Sequence, residues 1–540
     1  MGVESQQRAK GVKPPLESEV QDAVDQTGFG KFHYKLFVVC SMVFMNTGLG
    51  ASSSGLIVPA AACDFEMRTE DKGRLTAAPM LGMVCGSYFW GCLADIKGRR
   101  TALLAALFLD GCAGLISAFV PNYWVFAFLR FLNGFAITGQ SAMIFPYLGE
   151  FQPKRLRETI LCWLEMAWTF GIILLPLLAW LIIPMTFRYT SSNFSFASWN
   201  LFVLICSLPA LSFSAVLLFF PESPKYLFED SQDDRAMKIL AQMYAENSGM
   251  PAENYPVKFV GSGGDPLEAK LAVVSSDGVI SPVKIKRRKK LLGKMLGDIV
   301  KHTMTILRPP YLTITLLTAA IQFAMTAAYY TLMSWFPELF QRFAEFEREH
   351  PGSSAGVCSL PVVVPVANST TINVVNEFGC DTKLQGSVFL YTIFLGLACI
   401  PTSVWLPMCI GRLGYRFFLV VSTVLSGAAA VGLFFVTSST QNLIVSCIFE
   451  ALTSMGVSVV YCVLVTFYPT HLRVIAASFS ALCGRSGALI GNLMFGYLLD
   501  LHCIVPIAVV AGLLFFGGAL TFFLPREANL GKTESTAVVN

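Results

Sequence analysis

Apolar runs of about 20 residues recur along the chain and alternate with short polar connections. At 1.5 Å per residue, a helix of that length crosses the roughly 30 Å of hydrocarbon in a bilayer. Each run therefore predicts a spanning helix. Runs near 36–62, 75–94, 102–120, 123–148, 160–183 and 200–220 form one set of six. Runs near 312–338, 387–409, 417–436, 443–467, 475–499 and 505–524 form a second. The expected organisation is a polar tail at 1–35, a six-helix half at 36–220, a central loop at 221–308, a second half at 309–524 and a tail at 525–540. The second half carries a long outer loop at 341–386. The predicted fold class is an all-α polytopic membrane protein, twelve transmembrane helices in two six-helix halves. Residues 1–34 lack the basic, apolar and small-residue order of a cleavable signal.

Composition narrows the class. Of 540 residues, 54% are apolar and 14% charged, where soluble domains carry about 25% charged. That excludes a cytosolic enzyme and a disordered scaffold. A net charge of +4 is too small to imply nucleic acid. The 15 cysteines show no CxxC and no His/Cys cluster at metal-ligand spacing. No GxxxxGK[ST] loop and no nucleophile–base pair stands out, so neither a cofactor, a metal nor an enzymatic activity is expected, and any energy for work comes from a gradient.

Basic residues set the orientation. Lys97, Arg99 and Arg100 follow span two, Lys154, Arg155 and Arg157 follow span four, and Lys284–Lys290 sits in the central loop. The alternate connections Pro121-Asn122, 437–442 and 500–504 carry no Lys or Arg. Both termini are thus expected in the cytoplasm. Sequons at Asn193 and Asn368 fall in loops placed outside and read as glycosylation sites. Cys358 and Cys380 flank the second sequon; in an oxidising compartment they form a disulfide or remain as separate thiols.

The halves repeat each other at their loops. Gly91-Cys92-Leu93-Ala94-Asp95-Ile96-Lys97-Gly98-Arg99-Arg100 after span two has a counterpart in Gly411-Arg412-Leu413-Gly414-Tyr415-Arg416 after span eight. Pro153 to Arg157 after span four matches Pro469 to Arg473 after span ten, and Pro221-Glu222 after span six matches Pro525-Arg526-Glu527 after span twelve. Two like halves place a transporter's site at their interface near mid-membrane.

Gly91 to Arg100 resembles the signature loop of the major facilitator superfamily. Tyr147-Leu148-Gly149-Glu150-Phe151, the Trp163 to Trp168 stretch, Pro221-Glu222-Ser223-Pro224-Lys225-Tyr226 and Asn368 to Cys380 resemble the synaptic vesicle glycoprotein 2 and related-protein branch. The resemblance covers about 36–527. It implies a conformational latch at Gly91, Asp95, Gly98, Arg99, Glu150 and Arg157, with Gly91 allowing close helix approach and Asp95 holding the halves together in one state. Met408 stands where a second Asp95 would, so the second-half latch is expected to be weak. The branch's acid in span one is replaced here by Met45-Asn46-Thr47, and its Trp and Asp of span ten by Val457 and Tyr461. Asn46 does not titrate, which favours uniport, exchange or lost transport over proton coupling through span one.

Charges inside spans are costly and point to function. Arg130 and Arg485 are the leading examples; Glu165 and Glu450 fall nearer the span ends by this reading. Arg485 is expected to face the space between the halves or to pair with an acid such as Glu450. Spans one, four, seven and ten line the cavity in the superfamily, so the substrate path is expected to include Asn46, Arg130, Gln140, Trp168, Gln322, Tyr329, Tyr330, Tyr461 and Arg485. The structural alternative for each is interhelical hydrogen bonding or packing. In the central loop, Asp233 to Asn247 has helical spacing with Met237, Leu240, Met243 and Tyr244 on one face, 248–283 reads as a linker, and Lys284–Lys290 suits anionic lipid.

The leading function is a secondary transporter moving a small organic solute by alternating access. Alternatives are an organic-ion or sugar transporter of another branch, and a transporter-shaped receptor or vesicle-trafficking protein. The expected partners are the lipid bilayer and an unidentified solute, in the plasma membrane or a secretory or synaptic-like vesicle.

Overall fold

The computed structural model describes residues 16–191, 194–230, 232–260, 268–275, 278–286, 297, 300–301, 303–351, 354, 356–359, 384–468 and 470–524. A short helix, Leu16–Asp25 (α1), precedes the first half. That half consists of Lys31–Ala61 (α2), Thr69–Lys97 (α3), Arg99–Ser117 (α4), Tyr123–Phe151 (α5), Lys154–Ile182 (α6) and Ser198–Leu217 (α7). Arg188–Ser191 (β1) and Phe194–Ala197 (β2) pair antiparallel between α6 and α7, and Pro224–Glu229 (α8) and Asp233–Ser248 (α9) follow α7. The second half holds Leu312–Glu349 (α10), Gly386–Gly432 (α11), Ser439–Phe467 (α12), Thr470–Leu498 (α13) and Ile504–Thr521 (α14). In α11 the backbone leaves the helical path at Gly414, φ +76°. A side chain there would be strained, and the glycine lets one continuous segment make two spans. Ten segments are long and apolar enough to cross a membrane by length and composition; α5 and α13, which hold Arg130 and Arg485, complete the twelve.

Each half has its own apolar core. Leu36, Val43, Leu103, Ile144 and Leu164 are among the buried residues of the first. Leu332, Phe336, Phe418, Val459 and Leu514 are among those of the second. The halves meet along three helix pairs, α2 with α10, α3 with α13, and α6 with α11. Within the first half the backbones approach closely: a Cβ added to Gly134 would collide with the Pro79 carbonyl. Two faces are thus defined. The terminal face carries α1, α8 and α9, and the opposite face carries the 62–68, 118–122 and 499–503 connections.

Three expectations need correction. Helix α10 runs on to Glu349, so the start of the 341–386 loop is helical; Phe343 there remains in the second core. Residues 248–283 are more than a linker, because Val257–Val260 (β3), Glu268–Ser275 (β4) and Gly278–Lys286 (β5) form an antiparallel sheet in the order β3-β4-β5. The strands are rich in β-branched residues, and Asp277-Gly278 is a hairpin-forming pair. Finally, Cys358 is bonded to Cys503, with Cα atoms 5.4 Å apart, and not to Cys380. The partners are 145 residues apart in sequence, and connectivity cannot be read from spacing. Cys63 is also held in a disulfide. Asn193, Asn368, Cys380 and Arg287 to Lys290 lie outside the described residues; Lys284 and Lys286 are on β5. Helix α9 buries Ala236, Leu240 and Met243 in the first-half core, with Met237 and Tyr244 packed at its edge.

Candidate functional site

The mid-membrane site is built around α13. Gly484 and Gly487 press that helix onto α10: a Cβ on Gly484 would lie 2.8 Å from Thr326 Oγ1, and one on Gly487 2.7 Å from the Phe323 carbonyl. The side chain between them, Arg485, leaves on another side and crosses to the first half. Its Nη1 donates to Ser87 Oγ of α3 at 2.9 Å and its Nη2 to Ser141 Oγ of α5 at 3.4 Å. Two tyrosines line the same space. Tyr330 of α10 and Tyr461 of α12 each lie within electrostatic reach of both Arg485 and Glu165. Tyr461, six residues or about 9 Å from the terminal-face end of α12, is 39% exposed.

Helix α6 supplies the opposite wall. Glu165 and Trp168 are three residues apart and so share a face. Trp168 and Tyr330 both pack against the cluster of Tyr329, Ile172 and Met333, and the Trp168 ring centroid lies 5.7 Å from that of Phe44. Glu165 starts about 16 Å along its helix at 1.5 Å per residue, near mid-membrane and not at an interface. Tyr329 is buried between Ile172 and Trp168 of the first half and Glu450 and Cys399 of the second. Among the described residues, the Tyr329 hydroxyl, Gln322 Oε1 and both carboxyl oxygens of Glu450 are buried without a hydrogen-bond partner. Glu450 is therefore not the partner of Arg485.

Three expected path residues are engaged elsewhere. Asn46 and Gln140 both donate to Asp110 Oδ2, at 3.1 and 2.9 Å, and Asn46 also donates to Gln140 Oε1 at 3.1 Å. Asn133 Nδ2 donates to Asp110 Oδ1 at 3.0 Å. All four side chains are buried inside the first half, where a carboxylate needs such donors. Arg130 donates to Ser117 Oγ at 2.6 Å, lies 5.2 Å over the Phe126 ring, and has Asp110 nearby. These contacts hold it within the first half. The sequence reading passed over Asp110 and Asn133. A lone Asp in the apolar run 102–120 was the available signal.

At the terminal face, the contacts of the expected latch residues among the described residues run within the first half and to the segments that flank it. Gly98 has φ +100°, and a Cβ there would strike Glu222. The Glu222 carboxylate accepts the Arg100 N–H at 2.9 Å and the Thr101 N–H at 3.3 Å, an acid at the N-terminus of α4. Arg100 in turn donates to the Leu217 and Leu218 carbonyls at the end of α7. Arg99 lies 3.3 Å from Glu150, 3.6 Å from Asp95 and 3.8 Å from Glu229 of α8. Glu150 accepts from Ser223 Oγ, and Arg157 donates to the Gly149 carbonyl at 2.8 Å and to Gln21 of α1. Tyr226 of α8 donates to the Ile96 carbonyl at 2.8 Å. Burial, reinforced by Asp230 and Glu222, pushes its phenol up to about 12, so the donor persists at physiological pH. Gly91 faces open space and serves no close approach; the physical reason is that the tight contacts of α3 fall earlier, at Gly82 and Gly86.

The opposite face carries a cross-half cluster that the sequence did not reveal. Lys72 of α3 pairs with Glu338 of α10 at 2.7 Å. Arg342 pairs with Glu338 at 3.2 Å and Asp500 at 3.0 Å, and donates to Thr69 Oγ1 at 3.3 Å. Beside it, Gly73 and Gly496 bring α3 and α13 together, with a Cβ on Gly73 falling 2.7 Å from the Gly496 Cα. Among the described residues no cluster of three metal-ligating side chains occurs.

Two six-helix halves packed about a polar mid-membrane space have the fold of secondary transporters in the major facilitator superfamily, and the chain is an integral membrane protein. The family model "Sugar (and other) transporter" matches residues 32–254. The D-xylose–proton symporter aligns with a TM-score of 0.62 at 14% identity, covering 92% of this chain and 99% of that one. The inward-open xylose transporter XylE from E. coli aligns at 0.62 and 14%, covering 91% and 96%. More particularly, the chain resembles the synaptic vesicle glycoprotein 2 proteins. It is 28% identical to synaptic vesicle glycoprotein 2C of Homo sapiens over 97% of this chain and 82% of the relative. It is 26% identical to glycoprotein 2A of Rattus norvegicus over 95% and 79%, and 25% identical to human glycoprotein 2B over 95% and 86%.

Proposed function

We propose that the protein is a secondary transporter that moves a small organic solute by alternating access, from a site between its two halves. The observation that carries the reading is Arg485. A guanidinium that is always charged is held in mid-membrane by a helix of one half and by neutral hydroxyls of the other. A charge placed there without a counter-charge at hydrogen-bond distance among the described residues suits a water-filled path or a ligand. Helices α3 and α13, which meet at the opposite face, would separate there when the site changes access. In this reading the termini and Lys284–Lys290 are cytoplasmic, the basic cluster meets anionic lipid, and Asn193 and Asn368 are outside and glycosylated. The vesicle or plasma membrane is the site of action, as the relatives' name suggests for the first.

The test is uptake of labelled solutes into proteoliposomes. Saturable uptake that Arg485→Ala abolishes, with the variant still monodisperse, supports the reading. Absence of uptake for every solute class points to a receptor or trafficking role. A protease that cuts at Lys286 in intact cells would overturn the topology.

A further inference from the structure

A cavity of about 440 Å³ opens on the terminal face, apart from the mid-membrane site. That is an ordinary size for a small-molecule seat. The α3–α4 junction gives it Lys97 and Arg100, and α9 gives it Arg235 and Lys238, three residues apart on one helix face. Short contacts hold the walls together. Glu222, between them, accepts the Arg100 N–H at 2.9 Å, and Tyr226 donates to the Ile96 carbonyl at 2.8 Å. Among the described residues that line the cavity Glu222 is the one acid, and its carboxylate is engaged by the N–H groups of Arg100, Thr101 and Ser223. None of the four cations has a carboxylate at ion-pair distance among the described residues. The Arg100 guanidinium donates to the Leu217 and Leu218 carbonyls and Arg235 to Gln232, all neutral. Lys97 and Lys238 are exposed.

That arrangement selects a polyanion. Four cations against one acid leave +3 on the lining, and like charges around one space repel. A carboxylate or a phosphodiester balances only one of them. A phosphate monoester brings about −1.5 to −2 and three acceptor oxygens, so two of them balance the set. The position of the cavity points to the source. Thr101 lines it and continues the outward stripe of α4 with Ala105 and Phe108, all exposed. Phe219, two residues before Pro221 of the lining, is 89% exposed at the end of α7. In a membrane protein such outward apolar surfaces meet acyl chains, and basic pockets at the helix ends take phosphorylated headgroups. We propose that this cavity seats a phospholipid headgroup bearing two or more phosphate monoesters, its acyl chains lying along α4 and α7.

The experiment uses the purified full chain in neutral detergent and reads thermal stabilisation, since a ligand that binds the folded state raises Tm by mass action. The probes are the dioctanoyl forms of phosphatidylinositol bisphosphate, phosphatidylinositol and phosphatidylserine, together with free inositol trisphosphate. The bisphosphate lipid is expected to stabilise saturably, with the two lipids that lack phosphate monoesters at least tenfold weaker. Inositol trisphosphate, which carries the phosphates without acyl chains, should also be at least tenfold weaker. Lys97→Gln combined with Lys238→Gln should cost the bisphosphate lipid tenfold or more. Lys284→Gln combined with Lys286→Gln, in the separate basic stretch, should leave it within about threefold. If the cavity double variant misfolds, Arg235→Gln takes its place, since that exposed side chain bonds only Gln232; a loss of at least threefold is then expected. Silence from the bisphosphate lipid overturns the proposal, as does an equal response to phosphatidylinositol or phosphatidylserine. An unchanged response in the cavity variant, with the loss found instead in the Lys284 and Lys286 variant, moves the lipid to the basic stretch and overturns the cavity assignment. Inositol trisphosphate as potent as the lipid overturns the membrane source and assigns the seat to a free organic phosphate.

Discussion

Replacing Lys72 by alanine should open the face opposite the termini. Lys72 and Glu338 join α3 of one half to α10 of the other, with side chains 13% and 8% exposed. The pair exists only while the halves meet at that face. Glu338 also bonds Arg342 of its own helix at 3.2 Å, a contact present whether or not the halves separate. The substitution therefore leaves no bare buried carboxylate, and the loss is confined to one charge-assisted hydrogen bond. Such a bond contributes about 1.5–3 kcal/mol. With 1.4 kcal/mol per factor of ten, the closed-to-open equilibrium should move about 10- to 150-fold toward open. A cysteine at Ser334 reports it. Ser334 is buried on α10, its carbonyl 3.2 Å from a Cβ placed on Gly55 of α2. Its modification by a membrane-impermeant thiol reagent is followed on its own peptide by mass spectrometry. When closing is fast, the rate scales with the open population and should rise by that factor in Lys72→Ala, while Lys72→Arg stays near the parent. Equal rates in Lys72→Ala and its parent would refute the claim that this pair holds the face shut.

Asp110→Ala should lower thermal stability by about 1–3 kcal/mol, because the Gln140 amide loses its acceptor while Asn133 keeps the residue-110 main-chain carbonyl; an unshifted unfolding curve would remove the network's structural role. Glu222→Ala should cost about 1 kcal/mol through loss of the α4 cap, and Glu222→Gln less, since the amide oxygen still accepts from Arg100 N–H; equal losses in the two variants would show that charge alone matters. Cys358→Ser and Cys503→Ser should destabilise equally, by about 2–4 kcal/mol, with the double variant no worse than either. A non-reducing peptide map linking Cys358 to any other cysteine would contradict the pairing.

Span number, halves and repeat follow from the sequence, because they rest on the length of apolar runs and on loop residues that repeat in order. Lipid makes this legible: a backbone crossing hydrocarbon must satisfy its own hydrogen bonds, so a run of about 20 apolar residues has essentially one conformation available. Arg485 was visible for the same reason, as a costly residue in an apolar run. Which way a polar side chain faces is another matter. Asn46 and Gln140 sit on spans that line the cavity in the superfamily, yet both turn to Asp110 in the first half, and Arg130 turns to Ser117. A helix has an inner and an outer face separated by a rotation of two residues, and only the neighbouring helices decide which polar group is already satisfied. The latch shows the same limit. Asp95, Arg99 and Glu150 were recognisable by motif, but that Arg99 meets Glu229 of α8 and Glu150 meets Ser223 just before it depends on how the chain returns beneath the first half. Cys358 with Cys503 and Lys72 with Glu338 are contacts between residues 145 and 266 positions apart. No local pattern encodes such a contact; it exists because the packed halves bring their loop ends to one face.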